Sequence, residues 1–170
     1  MGREEFIAGL VKEQGWTKGA ELGLWWGRTY GFLLTHCPEL HLIGVDLFAP
    51  QPDHPDQKFQ PSLGDDWPHE DNEAKCRAIY AKFPKRAALY KMMTSDAAKV
   101  VDDASLDFVF IDADHSAEGV LRDIEDWEPK VKPGGYVMGH DIDWPTVRDV
   151  VSKRLPGYRT GPDNVWYRQR

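Results

Sequence analysis

Residues 106–112, with the sequence Leu-Asp-Phe-Val-Phe-Ile-Asp, form the segment that decides the fold. Four consecutive large apolar residues rich in β-formers predict a fully buried strand, which ends at the carboxylate of Asp112. Strands that are apolar on both faces are typical of the interior of a parallel sheet, where helices cover each side. We therefore expect residues 106–112 to lie at the centre of the sheet.

Short apolar segments alternate with amphipathic segments on both sides of this strand. The further strands are predicted at residues 19–24, 41–47, 87–90, 136–138, 158–160 and 165–167. The helices are predicted at residues 3–14, 28–37, 74–83, 97–101, 116–127 and 145–155. This alternation predicts an α/β fold with a mostly parallel, seven-stranded sheet that ends in a C-terminal antiparallel hairpin. Residues 133–135 (Pro-Gly-Gly) predict a turn, and residues 94–96 offer the N-cap of the helix at 97–101.

The composition favours a single globular domain over residues 1–170. The 170 residues are 41% hydrophobic and 29% charged, a balance in which one core can form. The 21 Lys+Arg and 28 Asp+Glu give a formal charge of -7, which disfavours nucleic acid as a partner because phosphate binding needs clustered cations. No apolar stretch approaches the roughly 20 residues that span a bilayer, and residues 1–5 are too acidic for a signal peptide, so we expect a cytoplasmic protein with no membrane partner. Cys37 and Cys76 show no CxxC pattern and are expected to be buried, reduced thiols.

Acidic residues stand at or near the ends of four predicted strands. They are Glu21, Asp46, Asp112 and Asp141. In open α/β sheets the ligand binds outside the carboxyl ends of the strands, where the strand order reverses. We therefore expect these four carboxylates to gather in one binding site.

Glycines and a carboxylate around the first of these strands favour a nucleoside ligand. The glycines of Glu21-x-Gly23-x-x-x-Gly27 allow a close backbone approach, and Asp46 can accept hydrogen bonds from both ribose hydroxyls. Trp25 occupies the third position of the dinucleotide fingerprint, where its bulk would obstruct a pyrophosphate. Glu21 would repel a pyrophosphate but suits a cofactor that ends in an amino acid with an ammonium group. The alternative is that the glycines serve only a tight turn between strand and helix.

Several segments together resemble the class I S-adenosylmethionine-dependent methyltransferases. Residues 19–23 are similar to the first motif of that superfamily, and residues 44–46 to its ribose-binding second strand. Residues 107–116, followed by Pro-Gly-Gly at 133–135 and His-Asp at 140–141, narrow the resemblance to small bacterial enzymes related to the metal-dependent sugar O-methyltransferases of macrolide biosynthesis. The resemblance implies a Rossmann-like single domain that transfers a methyl group from S-adenosylmethionine to a small hydroxylated acceptor, such as a sugar or polyketide glycoside.

The resemblance also assigns cofactor contacts to particular residues. Glu21 and Gly23 would line the methionine end, Asp46 would hold the ribose, and Ser95 and Asp96 would lie beside the adenine. The full cofactor-binding set that it implies is Glu21, Gly23, Asp46, Ser95, Asp96 and Asp112.

A second group of residues is suited to the chemical step. Asp112 and Asp141 end neighbouring strands, so both carboxylates can face one divalent cation, Mg or Mn. His140 stands where the related catechol and macrolide enzymes have an acidic ligand, and it would favour a borderline metal such as Mn or Fe over Mg. His115 can remove the acceptor's hydroxyl proton because an imidazole titrates near neutral pH. We predict Asp112, His140 and Asp141 as metal ligands and His115 and Asp112 as catalytic residues; the alternative is that they cap helices or brace loops. Asp114 is expected to face solvent or to cap the following helix.

Residues 48–72 interrupt the alternation with Pro, Asp, Gln, His and Gly. A loop of this length is typical of a functional lid or of a disordered segment. We favour a lid over the acceptor, because methyl transfer benefits from the exclusion of water. His54 and His69 lack the companion ligands of a zinc site.

Two other functions are compatible with the fold class. A nicotinamide-dependent reductase, NAD(P)-linked, would share the fold but is opposed by Glu21 and Trp25. A non-catalytic nucleoside-binding module would bind the same ligand without turnover. The identity of the acceptor and the formation of a homo-oligomer are left open by the sequence.

Overall fold

The computed structural model describes residues 1–49 and 69–170. The helices are α1 (Arg3–Gln14), α2 (Arg28–His36), α3 (His69–Lys82), α4 (Thr94–Ala98), α5 (Ala117–Trp127) and α6 (Pro145–Arg154). The strands are β1 (Lys18–Leu22), β2 (His41–Asp46), β3 (Ala87–Lys91), β4 (Leu106–Ile111), β5 (Val131–Gly139), β6 (Arg159–Thr160) and β7 (Trp166–Gln169). A 3-10 turn at Glu128–Lys130 joins α5 to β5. No helix of these two segments is long and apolar enough to cross a membrane.

The strands form one seven-stranded sheet with the order β3-β2-β1-β4-β5-β7-β6. Neighbouring strands from β3 to β5 are parallel, whereas β7 runs antiparallel to both β5 and β6. The predicted α/β fold, with its mostly parallel sheet and antiparallel end, is confirmed. β4 lies fourth in the order, between β1 and β5, so the segment 106–112 is central as predicted.

Helices cover both faces of the sheet, and β4 contributes side chains to both layers. Phe108 and Phe110 are buried on the face that α1 and α2 cover. Val109 and Ile111 are buried on the opposite face, against α4, α5 and α6. The apolar residues are therefore consecutive because each face of the strand is covered by helices. The two cysteines are free and buried, as expected.

The glycine-rich segment before the fifth strand differs from its prediction. Residues 133–135 do not form a turn outside the sheet, because β5 begins at Val131, which pairs with Leu106. The register then shifts, so that Tyr136 pairs with Phe108. Gly134 has a φ of 87°, a conformation that glycine adopts without strain, and the extra residues form an irregularity within β5.

Two further local predictions are wrong. Residues 94–96 do not cap a following helix, because Thr94 is already the first residue of α4 and Met93 is its N-cap. α3 begins at His69, so residues 69–72 belong to a helix and not to the predicted loop at 48–72. Of the other predicted lid residues, 48 and 49 are described, whereas residues 50–68, which include His54, lie outside the described residues.

We expect Gly23→Ala to destabilise the protein by more than Gly157→Ala. Both glycines have a left-handed φ, 79° and 81°, which costs a residue with a Cβ about 1–2 kcal/mol. A Cβ on Gly23 would also collide with the backbone of Asp112, whereas Gly157 has open space around it. The free energy of unfolding in urea should therefore fall by about 1 kcal/mol for Gly157→Ala and by at least about 3 kcal/mol for Gly23→Ala. Equal losses in the two variants would contradict the close approach of the β1 loop to β4.

Candidate active site

The sheet order brings the four acidic strand ends to one edge. β2, β1, β4 and β5 are consecutive neighbours, and they end at or next to the residues predicted from the sequence. Those residues are Glu21, Asp46, Asp112 and Asp141. The carboxyl edge of the sheet therefore carries a concentration of negative charge, which favours ligands with positive centres.

Asp46 holds two loops in place, the loop that follows β1 and the loop that follows β2. Its Oδ2 accepts hydrogen bonds from the backbone N–H groups of Leu24 at 2.7 Å and Trp25 at 2.9 Å. Its Oδ1 accepts one from the N–H of Phe48 at 2.7 Å. A carboxylate has about four acceptor positions, so these three bonds leave capacity for a ligand hydroxyl. The bracing role was not predicted, and the ribose contact of Asp46 stays a prediction.

Glu21 is a buried carboxylate beside the glycine loop. Glu21 is 3% exposed, and its Oε2 has no hydrogen-bond partner among the described residues. Burial raises the pKa of Glu21 well above its usual value, and the charge of Asp112 raises it further while Arg3 opposes the rise. A buried acceptor without a partner is suited to an incoming cationic donor, because the ammonium group would supply both the hydrogen bond and the charge.

Asp112, His115 and Asp141 form a compact cluster at the ends of β4 and β5. His115 Nε2 lies 2.7 Å from Asp141 Oδ2 and 3.3 Å from Asp112 Oδ1. One ligand-type atom from each of the three residues lies within 4.8 Å of the others. His140 joins the group through Nδ1, 3.0 Å from Asp141 Oδ1 and 3.8 Å from Asp112 Oδ1. The structure therefore brings together the predicted metal ligands and the predicted base.

The two histidines share their protons with these carboxylates. Burial disfavours a charge on His115, but hydrogen bonds with Asp112 and Asp141 outweigh it and raise its pKa to about 9. The pKa of His140 is also raised, against the effect of burial, by its bond with Asp141. Burial likewise opposes ionisation of Asp141, yet the two histidines hold its pKa far below the usual value. His115 consequently holds a proton at neutral pH in this arrangement, which the sequence did not indicate.

Backbone contacts fix the loop that carries His115. Ser116 is the N-cap of α5, and its Oγ accepts a hydrogen bond from Gly119 N at 3.0 Å. Asp114 is 4% exposed and accepts from Ser116 N at 2.8 Å, so it caps this end of the helix and does not face solvent. The ring of Trp144 lies 5.0 Å from that of His115, between centroids, an aromatic neighbour that sequence reasoning missed.

The residues predicted beside the adenine lie in the first turn of α4. Asp96 forms an exposed ion pair with Lys99 at 2.7 Å. Within the described part of the chain, neither Ser95 nor Asp96 makes a hydrogen bond to Glu21 or to the other strand-end carboxylates. Their role at the adenine stays a prediction.

A buried carboxyl group in α5 anchors the start of α4. Thr94 Oγ1 donates a hydrogen bond to Asp123 Oδ1 at 2.6 Å, and Trp127 Nε1 donates to Thr94 O at 3.1 Å. Burial raises the pKa of Asp123 to about 7; the bond from Thr94 and the charge of Arg122 lower it, while Asp114 and Asp126 raise it. Thr94 therefore serves as a tether between two helices.

The fold and the site define the class of this protein. A parallel sheet that ends in an antiparallel β5-β7-β6 arrangement, with a glycine loop and acidic strand ends at its carboxyl edge, is the architecture of class I S-adenosylmethionine-dependent methyltransferases. A family model described as a methyltransferase domain matches residues 20–142, and the chain belongs to that family. The protein is a methyltransferase that uses S-adenosylmethionine, which sets aside the reductase and the non-catalytic module.

Solved structures share this fold at low sequence identity. The O-methyltransferase from Bacillus cereus, in complex with S-adenosylhomocysteine, has 14% identity and a TM-score of 0.69, over 99% of this chain and 80% of that chain. A methyltransferase from Podospora anserina bound to S-adenosylhomocysteine has 10% identity and a TM-score of 0.70, over 99% and 78%. The O-methyltransferase NovP has 19% identity and a TM-score of 0.65, over 99% and 79%. Identities this low establish the fold alone. No curated protein sequence matches the chain.

We expect the unfolding free energy of Asp123→Asn, relative to that of the wild type, to increase as the pH rises. The folded-state pKa near 7 lies above the unfolded value of about 4, so the buried carboxyl group stabilises the fold fully only below pH 4 and loses that contribution as the pH rises to 7. The difference in unfolding free energy between variant and wild type should shift by on the order of 2 kcal/mol between pH 5 and pH 8, measured in urea.

Glu118→Gln provides the matched control, since Glu118 lies in the first turn of the same helix and is exposed. Its effect on the unfolding free energy should differ little between the two pH values. A shift of the same size in both variants would show that Asp123 does not carry the pH dependence.

Proposed function

We propose that the protein transfers a methyl group from S-adenosylmethionine to a hydroxyl oxygen of a small acceptor, a sugar or a polyketide glycoside. Residues 1–170 would form the single catalytic domain. The observation that carries the proposal is the convergence of Asp112, His115 and Asp141 beside the glycine loop. The O-methyltransferases that share the fold support oxygen as the acceptor atom.

The residues present fit a divalent cation, Mg or Mn, at this cluster. Two carboxylates from adjacent strand ends provide hard oxygen ligands. His140 turns Nδ1 toward both carboxylates, at 3.0 Å from Asp141 Oδ1 and 3.8 Å from Asp112 Oδ1, so this nitrogen would be the third ligand. A cation bound there would lower the pKa of an acceptor hydroxyl.

His115 would receive the hydroxyl proton at Nε2. Its pKa of about 9 reflects hydrogen bonds with Asp112 and Asp141, so the imidazole is protonated at pH 7 while both carboxylates face it. A cation held by those carboxylates would compensate their charge and would lower the pKa of His115. Proton acceptance by His115 therefore depends on the occupancy of the carboxylates, which links the base to the metal site.

We expect His115→Ala to lower turnover by roughly 10²–10⁴-fold while Mn²⁺ affinity and S-adenosylhomocysteine affinity change little. Turnover would be measured as S-adenosylhomocysteine release over a panel of hydroxylated acceptors, and affinities by calorimetry. A chelator should abolish turnover, with recovery on addition of Mg²⁺ or Mn²⁺.

His41→Ala is the matched control, because His41 is exposed at the opposite edge of the sheet. Full turnover in the presence of chelator would exclude the metal. Unimpaired turnover of His115→Ala would exclude the base, and loss of Mn²⁺ binding in that variant would make His115 a ligand instead.

A second experiment tests the ribose contact of Asp46. Asp46→Ala should weaken S-adenosylhomocysteine binding by about 2 kcal/mol, since charge-assisted hydrogen bonds to the ribose hydroxyls are lost. The variant also loses the loop brace, so a 2′,3′-dideoxy analogue serves as the control ligand. Wild type should prefer S-adenosylhomocysteine over this analogue, and Asp46→Ala should show no preference. A preference that survives the substitution would place the ribose elsewhere.

A further inference from the structure

We propose that Arg3 binds the carboxylate at the amino-acid end of S-adenosylmethionine, while Glu21 binds the ammonium group. This inference rests on the cofactor proposed above. It extends the site to α1, where the sequence predicted no site residue. Arg3 is the first residue of α1, and its Nη1 donates a hydrogen bond to Asp112 Oδ2 at 2.8 Å. The helix start therefore reaches the carboxyl end of β4, beside Glu21.

The charges around this point are strongly unbalanced. Four carboxylates act on one another there, because the charges of Asp112, Asp46 and Glu4 all disfavour ionisation of Glu21. Glu4 Oε1 lies 2.7 Å from Nε of Arg28, whose side chain is 62% exposed, and farther from Nε of Arg3, at 3.9 Å, so Arg28 is its main partner. The charge of Arg28 is therefore used on Glu4, and the strand-end carboxylates need positive charge from another group.

Among the lysines and arginines in the described part of the chain, Arg3 is the one that contacts a strand-end carboxylate of this group. Its side chain is 21% exposed, and among the lysines and arginines of residues 1–49 and 69–170 it alone forms an ion pair with Asp112. Its charge also acts on Glu21, in the direction that favours the carboxylate. One guanidinium group thus contacts Asp112 and acts on Glu21, and both of these residues belong to the predicted cofactor-binding set.

The chemistry of the cofactor makes such a cation necessary. S-Adenosylmethionine carries a sulfonium and an ammonium, which suit a negative site, and also a carboxylate, which this site would repel. A guanidinium has five N–H donors, and the bond to Asp112 uses one of them. The remaining donors match the geometry of a carboxylate, to which arginine binds through two parallel hydrogen bonds.

Arg3 is held in place before any ligand binds. Its backbone N–H donates to Asp163 Oδ2 at 3.2 Å, and Gly2 N donates to Glu5 Oε2 at 2.7 Å. Ile7, one turn further along α1, is fully buried against the sheet. Because the helix start and the guanidinium are both fixed, less conformational entropy is lost when a carboxylate binds.

The test compares two ligands on two proteins by calorimetry. The ligands are S-adenosylhomocysteine and its decarboxylated analogue, which keeps the ammonium group but lacks the carboxylate. Wild type should bind S-adenosylhomocysteine about 10- to 100-fold more tightly than the analogue, the range of a charge-assisted pair. Arg3→Gln should bind the two ligands with affinities equal within about threefold, and Arg3→Lys should retain part of the preference because the charge remains.

Arg154→Gln is the matched control, since it removes an ion-paired arginine on α6 and should keep the wild-type preference. Thermal unfolding of each variant without ligand reports whether the fold is retained, and Arg3→Lys keeps the comparison if Arg3→Gln unfolds. A wild-type preference that persists in Arg3→Gln, or its absence from wild type, would overturn the role of Arg3 and leave the cofactor assignment intact. If wild type binds neither ligand, the cofactor assignment itself is wrong.

Discussion

The close approach of the β1 loop to the end of β4 is the constraint on which the active site depends. Asp112 N donates to Leu22 O at 2.8 Å, and the next residue, Gly23, turns with a left-handed φ directly against the backbone of Asp112. No residue with a side chain fits there without displacing β4. Because these strand ends meet at backbone distance, the acidic groups around them are forced together. Those groups are Glu21, Asp46 and Asp112.

Such crowding of carboxylates in a partly buried site is unfavourable unless positive charge accompanies it. The structure meets this requirement in two ways: Arg3 pairs with Asp112, and protons on His115 and His140 pair with Asp141. A cationic cofactor or a divalent cation could supply the same positive charge as the Arg3 guanidinium or the histidine protons. The same repulsion that raises the pKa of Glu21 therefore favours ligands with positive charge at this edge of the sheet.

The sequence predicted the features that depend on local pattern, and it missed those that depend on contacts across the fold. The strand at 106–112 and the acidic strand ends follow from apolar runs and the topology of parallel sheets. The register shift at residues 133–135 depends on how β5 pairs with β4, which no local pattern records. Thr94 has the chemistry of an N-cap, but Asp123 on α5 offers its hydroxyl a stronger, charged acceptor. Arg3 escaped notice because nothing in an N-terminal helix indicates which strand end it reaches.

Asp46 shows why fold stability and ligand affinity are coupled in this site. Trp25 and Phe48 have φ values of 53° and 52°, a left-handed conformation that costs bulky residues about 1–2 kcal/mol each. The hydrogen bonds that both residues donate to the Asp46 carboxylate offset this strain, because bonds to a charged acceptor contribute about 1.5–3 kcal/mol. The loops that contain Trp25 and Phe48 thus depend on this carboxylate for their shape. Any substitution of Asp46 changes the shape of the pocket together with its hydrogen-bonding groups, so a loss of affinity alone cannot identify a contact to the ribose. Changing the ligand while the protein stays constant separates the two effects, and the same reasoning applies to every carboxylate at this edge of the sheet.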